Sequence, residues 1–177
     1  MGFKKTQQLM VHQPTLSGSF QLSSIFYTMK LFIVAAVLGL AAPAFSSTNT
    51  YTLSYDTTYD NGQNSLRNVT CSNGEHGLLT RGYKTFGDLP TFPNIGKAPQ
   101  IVGWNSKYCG SCWEFTYTGS DGNPKSLNFT AIDASESDAF TISLDGMDNL
   151  TQDQGEKLKS ILITVAPKPA SACGLHL

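Results

Sequence analysis

"CWEFTYTGSDGNPKSLNFTAIDA", residues 112 to 134, decides the fold. From Cys112 to Thr118 apolar and polar side chains alternate, and they alternate again from Ser126 to Asp133. Successive side chains of a strand point to opposite faces, so this period of two marks half-buried β structure. Between the runs lies "GSDGNP", a set of turn-forming residues. Two alternating runs around such a loop predict a β-hairpin.

Outward from the hairpin the pattern repeats in shorter pieces. "YTLSYD" (51–56) alternates like a strand, and "QIVGW" (100–104) reads as a short apolar strand. Residues 74–96 carry Gly or Pro every few positions and read mostly as loop. "AFTISLDGMDNL" (139–150) starts as a strand and turns helical near Asp145. Thr151 is expected to be the N-cap of a second short helix, with Gln154 as its capping-box partner. "ILITVAPKP" (161–169) is a β-branched strand that Pro167 and Pro169 should stop. Five or six short strands and one or two short helices, spaced by Gly/Pro turns, suggest a small barrel with its helices outside.

Just before the hairpin stands "YCGSCW" (108–113), whose Cys-x-x-Cys has three readings: a redox pair, half a zinc site, or two structural cysteines with distant partners. The compartment narrows them. Met29 and Lys30 form a short positive region, "LFIVAAVLGLAA" (31–42) is uninterruptedly apolar, and "APAFSS" supplies small residues for cleavage after Ala44 or Ser46. Twelve apolar residues fall short of the ~20 that span a bilayer. Residues 29–46 therefore read as a secretion signal, 1–28 as an upstream extension before a start at Met29, and 47–177 as one mature domain with no membrane anchor. The expected localisation is secreted and extracellular.

Beyond position 46 the chain keeps all 13 acidic residues and nine basic ones, with no basic run. A nucleic-acid partner is not expected, because neutralising phosphates dominates such binding. Cys71, Cys109, Cys112 and Cys173 all fall in the mature part, and an even count in a small secreted domain reads as two disulfides. Three pairings are open to four cysteines. The chain-entropy account gives about 4 kcal/mol each to Cys71–Cys109 and Cys112–Cys173. Only His76 and His176 remain as further zinc ligands, without ligand spacing. The strand that begins at Cys112 offers no helix dipole to activate a thiolate. No metal and no cofactor are expected.

Sequons occur at Asn68, Asn128 and Asn149. Asn68 and Asn149 lie in stretches that read as loop and are the better acceptors; use of Asn128 depends on its strand facing outward. A Ser-His-Asp arrangement lacks a placed histidine, and no phosphate loop is present. Carboxylates remain. Asp133 ends the apolar run "LNFTAID", while Asp56, Asp60 and Glu114 are possible partners for it. Eight Tyr and Trp residues in the mature part suit wet surfaces and sugar rings, although Trp113 reads first as core.

"SYDTTYDN", "VTCSNGEHGLLTRGY", "LPTFPNIG", "WNSKYCGSCWEFTY", "AIDA" and the terminal "SACGL" together resemble the cerato-platanin family of small secreted fungal proteins. The resemblance runs from Tyr51 to Leu175 and includes all four cysteines. Two small departures are Trp104, where the family often has Tyr, and the added His176-Leu177. The resemblance implies a six-stranded double-psi β-barrel with short peripheral helices and the disulfides Cys71–Cys109 and Cys112–Cys173. It implies binding of chitin or N-acetylglucosamine oligomers, or of cellulose, on a shallow groove, in the fungal cell wall or the medium. Elicitation of host defence or allergenicity, through a host receptor or antibody, is also implied. Asp133 inherits the position of the acid shared with expansins and related hydrolases; Tyr55, Asp56 and Asn105 carry over as groove residues. The second acid of the hydrolases is absent from the family pattern, so a non-catalytic protein with Asp133 as acceptor for sugar hydroxyls is expected. The alternatives are a weak glycoside hydrolase of the same barrel class and a surface-active host-interaction protein without a sugar site.

Overall fold

The computed structural model describes residues 49–176. The stretches expected to be a secretion signal (29–46) and an upstream extension (1–28) lie outside these residues. Six strands, β1 (Asn49–Tyr55), β2 (Ile95–Ala98), β3 (Cys112–Thr118), β4 (Pro124–Ala134), β5 (Ala139–Ile142) and β6 (Ser160–Lys168), close into a barrel in the order β1-β5-β2-β4-β3-β6. The pairs β1/β5 and β2/β4 are parallel; the other four are antiparallel. This is the double-psi arrangement. Two short helices, α1 (Leu144–Thr151) and α2 (Gly155–Leu158), lie between β5 and β6 in sequence.

The hairpin forms where its alternation predicts, with Phe115 opposite Leu127 and Trp113 opposite Phe129. Its inward face supplies the barrel's filling. Phe115 and Phe129 stack with centroids 4.5 Å apart, and Phe140 of β5 meets Phe115 edge-on at 4.9 Å. Trp113 is half-buried, packs edge-on against Phe140 and donates from Nε1 to Ser111 Oγ at 2.8 Å. A closed sheet has no unpaired edge, so a core this small is not exposed to strand exchange. Leu66, Leu78, Phe86 and Leu89 form a further buried layer contributed by the turns between β1 and β2.

Four local readings are corrected. "QIVGW" is not a strand: Ile101 is buried, Val102 beside it is 91% exposed, and Ile101 N–H closes a turn onto Ala98 O. The missing strand is β2, which lies partly inside the stretch read as loop. It is four residues long, and its Gly96 packs so tightly that a Cβ there would sit 2.0 Å from Thr141 O. Thr151 ends α1 instead of starting a helix; its hydroxyl donates to Met147 O, and Ser143 is the N-cap, accepting from Gly146 N–H. Consequently Asn149 lies on a helix and not in a loop. Finally, β6 runs through Pro167 to Lys168. Past Val165 it has lost β1 and pairs with β3 alone, an edge-like position that tolerates proline.

The cysteines form Cys71–Cys109 and Cys112–Cys173, 38 and 61 residues apart. "YCGSCW" is thus neither a redox pair nor a thiolate site.

Candidate functional site

Asp133 is aimed by a break in register. Gly96 pairs with Ala131 but Lys97 pairs with Asp133, so Ile132 is an extra residue in β4. A bulge of this kind kinks the strand and redirects the next side chain. Ile132 stays fully buried, and its carbonyl accepts the Cys71 N–H at 3.2 Å. Phe129, Thr130, Ala131 and Ile132 are buried in succession, so the in-out alternation of β4 is lost where the bulge falls.

The carboxylate gathers donors from three parts of the chain. Oδ1 accepts Thr70 N–H at 2.9 Å, the Thr70 hydroxyl, and Ala134 N–H at 2.9 Å. Oδ2 accepts the Tyr59 hydroxyl at 3.0 Å. Oδ1 is therefore saturated, while Oδ2 keeps one acceptor direction open on a half-buried side chain. Tyr59 is 3% exposed and its ring stacks on Phe86 at 5.8 Å. Burial first, then the charge and hydrogen bond of Asp133, push the Tyr59 hydroxyl far above its ordinary range. It donates and does not ionise. Neither Tyr59 nor Thr70 stood out in the sequence as a partner of Asp133; both lie more than 60 residues away from it.

The other carboxylates are committed elsewhere. Asp56 is the N-cap of the 3-10 turn Thr57–Asp60, accepting Thr58 N–H at 2.9 Å, and its charge also acts on Tyr59. Asp60 spends both oxygens on the α1 N-terminus, accepting Leu144 N–H at 3.1 Å and Asp145 N–H at 2.9 Å. That pairing satisfies orphan helix donors and favours the positive end of the dipole. Glu114 lies 3.0 Å from Lys168 in an ion pair between neighbouring strands. Tyr55 is half-buried at the end of β1, opposite Ile142 of β5.

Asn105 sits on a second patch, linked to Asp133 through the Cys71–Cys109 disulfide. It adopts φ +60°, and its Oδ1 accepts His76 N–H at 2.9 Å. Next to it, Trp104 donates from Nε1 to Asn73 Oδ1 at 2.7 Å. Arg81 Nη1 donates to Cys109 O at 3.0 Å, and burial lowers the pKa of its guanidinium. Of the sequence-predicted groove residues, Asp56 and Asp133 both act on Tyr59, whereas Tyr55 and Asn105 make no hydrogen bond to any of these three among the described residues.

A cavity of about 250 Å³ lies elsewhere, between the β3–β4 hairpin tip and the α1–α2 end, lined by Tyr117, Asp121, Lys125, Leu150, Gln152 and Gln154. None of the sequence-predicted site residues lines it. Of the sequons, Asn68 and Asn149 are exposed, whereas Asn128 is half-buried and donates from Nδ2 to Ala172 O at 2.8 Å.

The family profile of the cerato-platanins matches residues 51–175. The heat-stable 19 kDa antigen of Coccidioides immitis is 39% identical over 151 residues, covering 83% of this chain and 99% of that protein. The allergen Asp f 15 of Aspergillus fumigatus is 40% identical over 121 residues, 68% of this chain and 75% of the allergen. The crystal structure of cerato-platanin 1 from M. perniciosa is 47% identical with a TM-score of 0.66, covering 69% of this chain and 98% of that one. The chain belongs to the cerato-platanin family.

Proposed function

We propose that this protein is a secreted, non-hydrolytic carbohydrate-binding protein of the fungal wall and medium, with chitin or N-acetylglucosamine oligomers as its ligand class and cellulose as a possible substitute. The observation that carries this reading is the state of the carboxylates. Asp133 keeps one acceptor direction free on Oδ2 at a half-buried surface, which suits a sugar hydroxyl. Canonical glycoside hydrolysis needs a second carboxylate across the bond, about 5 Å or about 6.5–9.5 Å from the first. Asp60 has both oxygens bound to the α1 N-terminus, Asp56 caps its own turn, and Glu114 is paired to Lys168. The support for secretion is the apolar leader at 31–42 together with two disulfides. The antigen and allergen names of its relatives support a role in host recognition, through a receptor or antibody.

The test is calorimetric titration of soluble chitin oligomers into wild type and Asp133→Ala. Saturable binding by wild type, weakened at least tenfold by the substitution, is expected. Equal binding by both proteins would remove Asp133 from the site.

A further inference from the structure

We propose that Trp104 is a stacking platform for a pyranose ring, extending the Asp133 surface across the Cys71–Cys109 disulfide; this rests on the carbohydrate reading above. Trp104 is 66% exposed, yet its indole is not loose. Nε1 is bound to Asn73 Oδ1, and the adjoining ring edge lies over Gly74, where a Cβ would come within 3.1 Å of Cζ2. The same Cβ would sit 2.7 Å from Asn105 Oδ1. Gly74, at φ +92°, therefore makes room for both side chains at once.

A surface Trp often leaves its N–H to water. Here Asn73 holds the N–H while two thirds of the residue stays exposed, so the ring is both fixed and accessible. Asn73 and Asn105 each have their carbonyl oxygen fixed by an N–H donor, from Trp104 and His76. Those donors settle the orientation of both amides and leave the Nδ2 groups, which have no partner within the described residues, to donate beside the ring. An aromatic face flanked by fixed amide donors suits a sugar, which offers a C–H face to the ring and hydroxyl or acetamido oxygens to the amides. A lipid surface or a second copy would call for a broader apolar face. Val102 adds one exposed aliphatic side chain, and Tyr108 carries the Lys107 ammonium 5.2 Å above its ring.

The experiment titrates the chitin tetramer into wild type, Trp104→Ala, Trp104→Phe and Asp133→Ala by calorimetry, with circular dichroism to confirm the fold. Trp104→Ala should weaken binding about tenfold, while Trp104→Phe, which keeps a ring, should stay within about threefold. In a nitrogen-edited NMR titration of wild type, the Trp104 indole N–H signal should shift and that of Trp113 should not. If wild type binds and Trp104→Ala binds equally well, the platform is overturned and the Asp133 reading stands. If wild type gives no binding, the carbohydrate reading itself falls. If Trp104→Ala spares the tetramer but abolishes sedimentation with phosphatidylcholine vesicles, the face is lipid-directed and the proposal is wrong.

Discussion

The two disulfides close loops of similar size and hold different things. Cys71–Cys109 spans 38 residues and knits the turns after β1 to the loop before β3. Asp133, Thr70, Asn73, Trp104 and Asn105 are all within a few residues of this bridge or bonded to a neighbour of it. Cys112–Cys173 spans 61 residues and fastens the 3-10 turn Ala170–Cys173 to the start of β3, where Asn128 Nδ2 also grips Ala172 O. One bridge fixes the surface on which a ligand is proposed to lie, and the other fixes the chain end. Loop-closure entropy treats them alike; the proposed binding surface does not.

The largest test of that contrast removes each bridge in turn. Cys71→Ser/Cys109→Ser and Cys112→Ser/Cys173→Ser should each lose about 4 kcal/mol in denaturant unfolding, since the entropy term grows only slowly with loop length. Below the melting transition only the first double variant should lose oligomer binding. Equal loss from both would dissolve the distinction.

Asp133→Ala comes next, at about 2–3 kcal/mol, because it orphans the buried Tyr59 hydroxyl and the Thr70 N–H. Asp60→Ala should cost about 1 kcal/mol by leaving the Leu144 and Asp145 N–H groups at the α1 N-terminus without their acceptor, and leave binding unchanged. Loss of binding in that variant would reopen the hydrolase-like reading.

Tyr59 gives a pH signature on the same side. Its folded pKa is raised above the unfolded value of about 10, so its contribution is complete below pH ~10 and is lost as pH rises further, where only the unfolded chain releases the proton. Stability measured from pH 9 to 11 should fall, and Tyr59→Phe should flatten that fall. The smallest effect lies at Asp88, whose carboxyl the Thr85 and Lys84 N–H groups hold below the usual carboxylate range. With a depressed folded pKa, its contribution is present above pH ~4 and lost as pH falls through the folded value. Asp88→Ala should cost about 1 kcal/mol or less at neutral pH and leave binding intact.

How far the sequence reached follows from the range of the interactions involved. The β3–β4 hairpin was legible because its alternation and its turn lie within 23 contiguous residues. β2 was not, because "IGKA" carries no period of its own; β4 and β5 on either side make it a strand. Thr151 misled because a Thr that ends a helix by bonding back to Met147 O looks the same in sequence as one that starts the next; the N-cap of α1 is Ser143. The same holds at the site. Asp133 was visible at the end of an apolar run, and the family motifs pointed to Asn105. Tyr59 and Thr70, which complete the carboxylate's surroundings, reach it only through the closed barrel and the turns packed on it. Short elements made by neighbours, and side chains that meet across 60 residues or more, leave no local pattern to read.

The central claim is that the Asp133 side holds an oligosaccharide without cutting it. Calorimetric titration of wild type with chitin hexamer, followed by mass spectrometry of the same sample after prolonged incubation, tests both halves together. The account predicts saturable heat, its loss in Asp133→Ala, and hexamer recovered intact. No heat from wild type, or shortened oligomers that vanish with Asp133→Asn, would contradict it.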